Sequence, residues 1–202
     1  MKKKLLAWSA GRKNGNTEIL VKEALMGAEE IGVDVELIRV NDLDIKHCIA
    51  CHPCPAMKGP DRCVWKDDAQ FLMEKVLDAD GLLIGAPVYS NTAPGYLSVI
   101  RDRLFGPKFD PTLRVMAEKT DDPLVLRLIA DSWNDERIYK KRVAAYISVG
   151  GAKDTNWTSL GLPTLHMLTF SNDIQVVDQM DVTRCAEPGS VLLKEDIVAR
   201  AR

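Results

Sequence analysis

The chain has 202 residues, of which 46% are hydrophobic and 28% charged, which is enough apolar material for a buried core and excludes a disordered or fibrous chain. Its 27 basic and 29 acidic residues give a formal charge of -2, so the charge balance does not indicate a nucleic-acid partner. The apolar run after the basic start is too short for a signal peptide, and no stretch is long enough for a membrane span. We therefore expect a cytoplasmic protein without a membrane partner.

Apolar runs alternate with stretches of helical periodicity along the whole chain. The first half predicts a strand at 5–8, a helix at 16–31, a strand at 33–40, a helix at 67–78 and a strand at 81–85. The second half predicts a helix at about 95–105, a strand at 143–149, a helix at 158–170, a strand at 174–182 and a helix at 190–202. Strands that are apolar throughout are typical of a parallel sheet covered on both faces. The pattern therefore predicts a doubly wound α/β fold.

Two segments interrupt this alternation. Residues 46–66, after the second strand, contain most of the cysteines, and residues 106–142 come before the fourth strand. The second segment is too long for an ordinary connection, so we expect it to form helices of its own around 124–133. We expect residues 1–202 to form a single domain that carries both segments as insertions.

The loop after the first strand leads directly into a helix and contains Gly11 and Gly15. Such a turn offers backbone N–H groups and the positive end of a helix to a phosphate. Asn16 and Thr17 add side-chain donors, and Arg12 adds a cation. The spacing matches neither common glycine-rich phosphate motif, so a helix that simply follows a solvated loop is the alternative.

The loops after the third and fourth strands extend this prediction. Residues 85–97 combine prolines, glycines, hydroxyls and amides in a loop that can hold a flat aromatic ligand, with Tyr89 as a stacking candidate. Gly150 and Gly151 lack a Cβ and allow close approach of a ligand. Ligands of doubly wound sheets lie at the carboxyl ends of the strands, so these loops predict one site. A tyrosine that covers the core and an ordinary glycine turn are the alternatives.

These three loops, in this order, resemble the NAD(P)H-dependent FMN reductase family of flavodoxin-like proteins over most of the chain. The resemblance implies a five-stranded parallel sheet in the order 2-1-3-4-5, bound FMN, and NAD(P)H as a possible co-substrate. The family's first loop usually reads Ser-Pro-Arg-Lys-x-Gly-Asn-Thr, and counting back from Thr17 places its Ser at Ala10, one position after Ser9. The cofactor-binding residues implied by position are Ser9, Arg12, Asn14, Asn16, Thr17, Pro87, Val88, Tyr89, Ser90, Asn91, Gly150 and Gly151.

Four cysteines fall within residues 46–66, three of them spaced as C-x2-C-x2-C. Thiolates at this spacing can turn towards a compact cluster, with a fourth ligand from the following turn. The arrangement resembles the iron-sulfur flavoprotein branch of the family, which implies a 4Fe-4S cluster. The implied ligands are Cys48, Cys51, Cys54 and Cys63. Zinc is an alternative because His47 and His52 lie among the cysteines, and thiols without any metal are another. We expect the remaining Cys185 to be a small buried side chain.

The main functional hypothesis is an FMN oxidoreductase that passes electrons between FMN and a 4Fe-4S cluster, with small-molecule or protein electron donors and acceptors. No acid-base residue is required, so none is predicted to be catalytic. One alternative is a cluster-free NAD(P)H:FMN or quinone oxidoreductase, and another is a non-catalytic flavodoxin-like module with a zinc site. The resemblance also implies a homodimer or homotetramer, in which residues 106–142 form a flap or a dimer arm.

Overall fold

A sheet of five parallel strands forms the centre of the fold, in the order β2-β1-β3-β4-β5. The computed structural model describes residues 2–51, 63–104, 119–123, 137, 140–169 and 174–202. The strands are β1 (Lys4–Ser9), β2 (Asp34–Arg39), β3 (Gly81–Pro87), β4 (Val143–Val149) and β5 (Gln175–Val182). The doubly wound sheet and the strand order expected from the sequence are confirmed.

Helices cover both faces of this sheet. They are α1 (Asn16–Glu30), α2 (Ala69–Asp78), α3 (Gly95–Leu104), α4 (Gly161–Thr169) and α5 (Glu195–Ala201). Side chains alternate across the strands, so that Trp8 enters the core beneath α2, α3 and α4, whereas Ala7 enters the core beneath α1 and α5. Burial on both faces explains why the central strands β1, β3 and β4 are largely apolar. The edge strands β2 and β5 are partly exposed and carry charged and amide side chains, so the expectation that every strand is apolar throughout is wrong for these two.

Two helices are shorter than the sequence pattern predicts. The stretch at 190–202 is a 3-10 turn, Ser190–Leu193, followed by α5, and Lys194 lies between them in a non-helical conformation. The Lys194 ammonium donates a 2.8 Å hydrogen bond to the carbonyl of Thr183. The stretch at 158–170 is preceded by a 3-10 turn, Thr155–Trp157, and its α-helix starts only at Gly161. In both places, tertiary contacts outweigh helical periodicity.

The end of the 106–142 insertion is attached to the end of α2. The Arg142 guanidinium is buried and donates to the carbonyls of Val76 at 3.0 Å and Leu77 at 2.7 Å, which are among the last carbonyls of α2. The helices expected around 124–133 lie outside the described residues. Among the helices of the described ranges, none combines the length and the apolar character needed to cross a membrane.

Candidate flavin site

A cleft of about 260 Å³ opens at the carboxyl edge of the sheet, between the loops that follow β1, β3, β4 and β5. Its lining residues are Gly11, Arg12, Gly15, Asn16, Thr17, Pro87, Val88, Tyr89, Val149, Gly151, Cys185 and Ala186. The structure therefore brings together seven of the residues predicted from the sequence, namely Arg12, Asn16, Thr17, Pro87, Val88, Tyr89 and Gly151. The other predicted residues, Ser9, Asn14, Ser90, Asn91 and Gly150, do not line this cleft.

One end of the cleft is the start of α1. Gly15 precedes the helix in an extended conformation without a side-chain cap, and its carbonyl accepts the first helical bond, from Ile19 N–H at 3.0 Å. The N–H groups of the first turn therefore have no intrahelical acceptor. A Cβ at Gly11 would lie 2.9 Å from Cβ of Thr17, and a Cβ at Gly15 would lie 2.7 Å from Cγ of Arg12. This close-packed turn of glycines, N–H donors and a cation fits a phosphate group.

Asn16 has a structural role that the sequence does not reveal. Its side-chain amide donates to the carbonyls of Cys185 at 2.9 Å and Glu187 at 2.8 Å. Its side-chain oxygen accepts a 3.2 Å bond from Val191 N–H. The amide predicted to bind phosphate therefore joins α1 to the loop after β5, and the backbone N–H of Asn16 is the group left for an anion.

Ser9 and Asn14 do not reach the cleft. Ser9 is the last residue of β1 and shares the face of Ala7 by strand alternation, so its side chain is fully buried. Its hydroxyl has no hydrogen-bond partner within the described part of the chain. Asn14 is exposed, has a φ of 56°, and accepts a 3.4 Å bond from the Lys22 ammonium. It is a turn residue in the left-handed region, which asparagine tolerates.

The other end of the cleft is the loop after β3, residues 87–94, which we call the ring loop. Val88 N–H donates to the carbonyl of Val149 at 2.8 Å, and Tyr89 and Thr92 exchange backbone bonds of 2.8 and 3.1 Å. Ser90 and Asn91 have φ values of 48° and 70° and form the tight turn between them, which explains why they do not line the cleft. The Tyr89 side chain is 56% exposed, so an aromatic face is available beside the cleft.

A segment after β4, residues 150–160, packs against the ring loop and is called the closing segment below. A Cβ at Gly150 would overlap Cγ2 of the buried Thr158, so this position accepts only glycine without a shift. Thr158 donates from its hydroxyl to Asp181 at 2.9 Å. Ser159 donates from its hydroxyl to the side-chain oxygen of Asn91 at 3.3 Å. Gly150 and Asn91 therefore hold the walls of the site in place from outside the cleft.

The loop after β5 forms a wall of the site that the sequence reading missed. Cys185 and Ala186 line the cleft, and Cys185 N–H donates to the carbonyl of Gly150 at 3.0 Å. Burial raises the pKa of the Cys185 thiol. The side chain is buried, as expected from the sequence. The topology could have predicted this wall, because the carboxyl end of β5 lies at the same edge of the sheet as the carboxyl ends of the other strands.

A second feature that the sequence reading missed is the buried carboxylate of Glu18. Glu18 lies in the first turn of α1 and is 1% exposed, and one of its carboxylate oxygens forms an ion pair with the Lys22 ammonium at 2.6 Å. Its other oxygen has no hydrogen-bond partner among the described residues. A carboxylate at this position stabilises the helix through the helix dipole but offsets part of the positive potential offered to a phosphate.

The predicted metal ligands lie in residues 47–66, which we call the thiol loop. Cys48 and Cys51 are exposed, Cys63 is half-buried, and Cys54 lies outside the described residues. Ala50 has a φ of 50° and donates its N–H to the Cys48 sulfur at 3.5 Å. The donor set is a group of soft thiols, the type that iron-sulfur clusters and zinc prefer. Within the described residues, no three metal-ligating side chains are grouped closely enough to hold a metal ion.

A buried ion pair lies at the base of the thiol loop. Asp67 and Arg103 form a two-pronged pair at 2.7 and 2.8 Å, with side chains that are 1% and 3% exposed. Burial alone lowers the pKa of Arg103, but the hydrogen bond to Asp67 and the electrostatic interactions with Cys63 and Asp67 raise it above its ordinary value. Burial raises the pKa of Asp67, but bonds from Arg103, Lys46 and Ala69 lower it overall. Both groups are therefore charged at neutral pH.

The fold and the cleft define a class of protein. A parallel sheet of this order, with a helix start and an aromatic loop at its carboxyl edge, is the arrangement of flavodoxin-like mononucleotide-binding proteins. Residues 4–179 match the model of the NADPH-dependent FMN reductase family. The chain belongs to this family, as the sequence motifs predicted.

Flavone-related enzymes and iron-sulfur flavoproteins are among the proteins similar to this chain. A flavone synthase of Aspergillus candidus is 33% identical over 98% of this chain and 61% of its own length. The solved structure of a flavone reductase has a TM-score of 0.76 and 30% identity over 98% of this chain and 59% of that chain. An iron-sulfur flavoprotein of Methanocaldococcus jannaschii is 36% identical over 46% of this chain and 46% of its own length. The chain thus spans about three-fifths of the flavone-related proteins and under half of the iron-sulfur flavoprotein.

Proposed function

We propose that the chain is an FMN-dependent oxidoreductase that takes electrons from NAD(P)H and reduces a small planar acceptor. The observation that carries this proposal is the division of one cleft into a phosphate-type end at the start of α1 and an aromatic end at Tyr89. The family match supports the cofactor, and the flavone-related relatives, which cover nearly the whole chain, support a planar acceptor.

The residues around the cleft have separate tasks in this proposal. The first-turn N–H groups of α1, Thr17 and Arg12 bind the phosphate of FMN. The ring loop and Gly151 border the flavin ring, and the exposed Tyr89 offers a stacking face to the acceptor. When bound, FMN supplies two-electron redox chemistry between a nicotinamide donor and the acceptor, so the protein needs only to bind and orient.

The test is anaerobic oxidation of NADPH and NADH by the FMN-loaded protein, with a flavone, a quinone and free FMN as separate acceptors. We expect oxidation of at least one nicotinamide that depends on the acceptor. Replacement of Tyr89 by Leu should raise the KM for the planar acceptor several-fold and leave the KM for the nicotinamide nearly unchanged. Bound FMN without oxidation of either nicotinamide would instead favour the non-catalytic module.

A second function is favoured by the thiol loop. We infer that Cys48, Cys51, Cys54 and Cys63 hold a 4Fe-4S cluster that exchanges electrons with FMN. The spacing of the cysteines, the N–H bond to the Cys48 sulfur and the partial match to iron-sulfur flavoproteins support this. A cluster would let the protein pass single electrons to a protein partner.

Iron and acid-labile sulfide per FMN, measured in protein purified without oxygen, test the cluster. We expect about four of each per chain. Replacement of Cys51 by Ser should remove most of the iron and leave FMN bound, whereas the matched replacement of Cys185 by Ser should leave the iron in place. Zinc in place of iron would support the structural-zinc alternative, and flavin without any metal would leave the cluster-free oxidoreductase.

A further inference from the structure

The thiol loop leaves and re-enters the fold at one place. Asp44 N–H donates to the Asp68 carboxylate at 2.8 Å, and Asp68 N–H donates back to the carbonyl of Asp44 at 3.0 Å. Lys46 N–H donates to the Asp67 carboxylate at 3.0 Å. The Lys46 ammonium also lies over the ring of Trp65, 4.9 Å from its centre. The two ends of the loop are therefore joined before the cysteines begin.

The buried pair of Asp67 and Arg103 fastens this junction to α3. Arg103 donates to both oxygens of Asp67 and, from the same guanidinium, to the carbonyl of Lys46 at 2.5 Å. The Asp67 oxygens also accept from the N–H groups of Lys46 and Ala69. One guanidinium thus holds the outgoing end of the thiol loop, at Lys46, and its returning end, at Asp67, in a single arrangement.

Helix α3 begins at Gly95, directly after the ring loop. In its first turn, the Tyr96 hydroxyl donates a hydrogen bond to the carbonyl of Leu43. Arg103 makes its contacts in the last turn of the same helix. The base of the thiol loop therefore contacts both ends of a helix that begins directly after the ring loop.

A buried ion pair is a weak source of stability, because removing two charges from water offsets most of their attraction. A fork of two parallel hydrogen bonds does, however, fix geometry closely. We propose that Asp67 and Arg103 are the positioning residues of the thiol loop, which hold its two ends together and fix Cys63, four residues before Asp67, whether or not a metal is bound.

The experiment compares matched variants in metal-free, FMN-loaded protein. Asp67→Asn/Arg103→Gln removes the charged fork without leaving one charge buried alone, and Arg101→Gln removes an exposed ion pair to Asp102 on the same helix. The hydrogen-exchange rate of the Lys46 amide is compared with that of the Lys4 amide. The Lys4 amide is a control because it donates a 2.9 Å hydrogen bond to a different carboxylate, that of Asp80. Alkylation rates of the individual thiols are measured by mass spectrometry.

We expect the double variant to raise Lys46 exchange at least tenfold and Cys63 alkylation several-fold, with Lys4 exchange and bound FMN unchanged. Arg101→Gln should change none of these. Arg103→Lys keeps the charge but loses the fork, so it should keep a thermal midpoint close to that of the wild type while its Lys46 amide exchanges as fast as in the double variant. Two results would overturn the proposal. One is a double variant with the exchange and alkylation rates of the wild type, and the other is an Arg103→Lys variant with both the thermal midpoint and the Lys46 exchange rate of the wild type.

This test is independent of the proposed cluster function. Its readouts need no iron, so they decide the role of the pair even if the wild-type protein binds no metal. Where the wild type does assemble a cluster, reconstitution with ferrous iron and sulfide adds a spectroscopic readout. The double variant should then show at least a threefold lower cluster absorbance per chain than Arg101→Gln, and equal absorbance would count against the proposal.

Discussion

The side-chain amide of Asn16, at the first position of α1, is hydrogen-bonded to the backbone carbonyl of Cys185 at 2.9 Å. The same side chain accepts a bond from Val191 N–H. Asn16 and Cys185 both line the cleft. One polar side chain thus sets the distance between the start of α1, where we propose that the phosphate binds, and the loop after β5.

Replacement of Asn16 by Ala should therefore affect both stability and cofactor binding. The change leaves the buried carbonyl of Cys185, the partly buried carbonyl of Glu187 and the buried N–H of Val191 without their partner. We therefore expect a loss of about 2 kcal/mol in the free energy of unfolding. For a chain of this length, that corresponds to a fall of roughly 4–8 °C in the thermal midpoint. FMN affinity should fall as well, because the wall at Cys185 is released.

Thermal denaturation and quenching of flavin fluorescence measure the two effects of Asn16→Ala. The control is Asn14→Gly, since Asn14 is exposed, makes a long 3.4 Å bond to Lys22, and has a φ of 56° that glycine adopts without strain. That control should be close to wild type in both measurements. Similar losses in the two variants would show that the amide of Asn16 has no special role.

Replacement of Thr17 by Val tests the phosphate end. Thr17 is 3% exposed and its methyl group packs near Gly85, so the isosteric valine keeps the packing and removes only the hydroxyl. A hydrogen bond to a charged group is worth about 1.5–3 kcal/mol, so FMN should bind roughly tenfold more weakly or worse. Riboflavin, which lacks the phosphate, should be nearly unaffected. Titration of both flavins measures this, and equal weakening would exclude a phosphate contact.

The fold was predictable because its signals are local and repeated. Each central strand is a short, largely apolar run between helical stretches, and a parallel sheet is the arrangement that buries such runs on both faces. The phosphate-type loop and the ring loop were predictable for the same reason, since each follows a strand at the carboxyl edge. The breaks at Lys194 and before Gly161 were not predictable, because bonds to distant residues cause them.

The contacts that shape the site depend on residues far apart in sequence. Nothing in the local sequence pairs Asn16 with Cys185, or Asp67 with Arg103. At Ser9 the sequence motif itself misled the prediction, because the serine stands one residue before the motif position. Strand alternation at that position buries the Ser9 side chain under α1. Sequence motifs thus located the cleft, whereas the side-chain roles within it required the structure.

Replacement of Gly150 by Ala should loosen the closing segment. The added methyl group would overlap the Thr158 side chain, whose hydroxyl holds Asp181. We expect FMN affinity to fall at least fivefold, with a loss of stability of about 1–3 kcal/mol typical of overpacking. Gly95→Ala is the matched control, because a Cβ at that first position of α3 meets nothing within 4 Å. FMN titration and denaturant unfolding compare the two variants, and equal effects would contradict the prediction.

Asp80 gives a pH dependence at the opposite end of the sheet. A hydrogen bond from Lys4 N–H, supported by the Lys140 and Lys3 ammonium groups, lowers the pKa of Asp80 from 3.8 to about 2. The folded state thus favours the ionised carboxylate, so the stabilisation is present above the ordinary value of 3.8 and is lost as pH falls towards about 2.

Asp80→Asn should accordingly lower the free energy of unfolding by about 1 kcal/mol at pH 7, a modest value because the ion pairs are partly exposed. Urea unfolding of both proteins between pH 7 and pH 2.5 should show the gap closing below pH 4. Because the backbone bond from Lys4 is the largest cause of the shift, most of the gap at pH 7 should persist at high salt, which screens the ammonium groups. A gap that stays constant down to pH 2.5 would show that ionisation of Asp80 does not stabilise the fold.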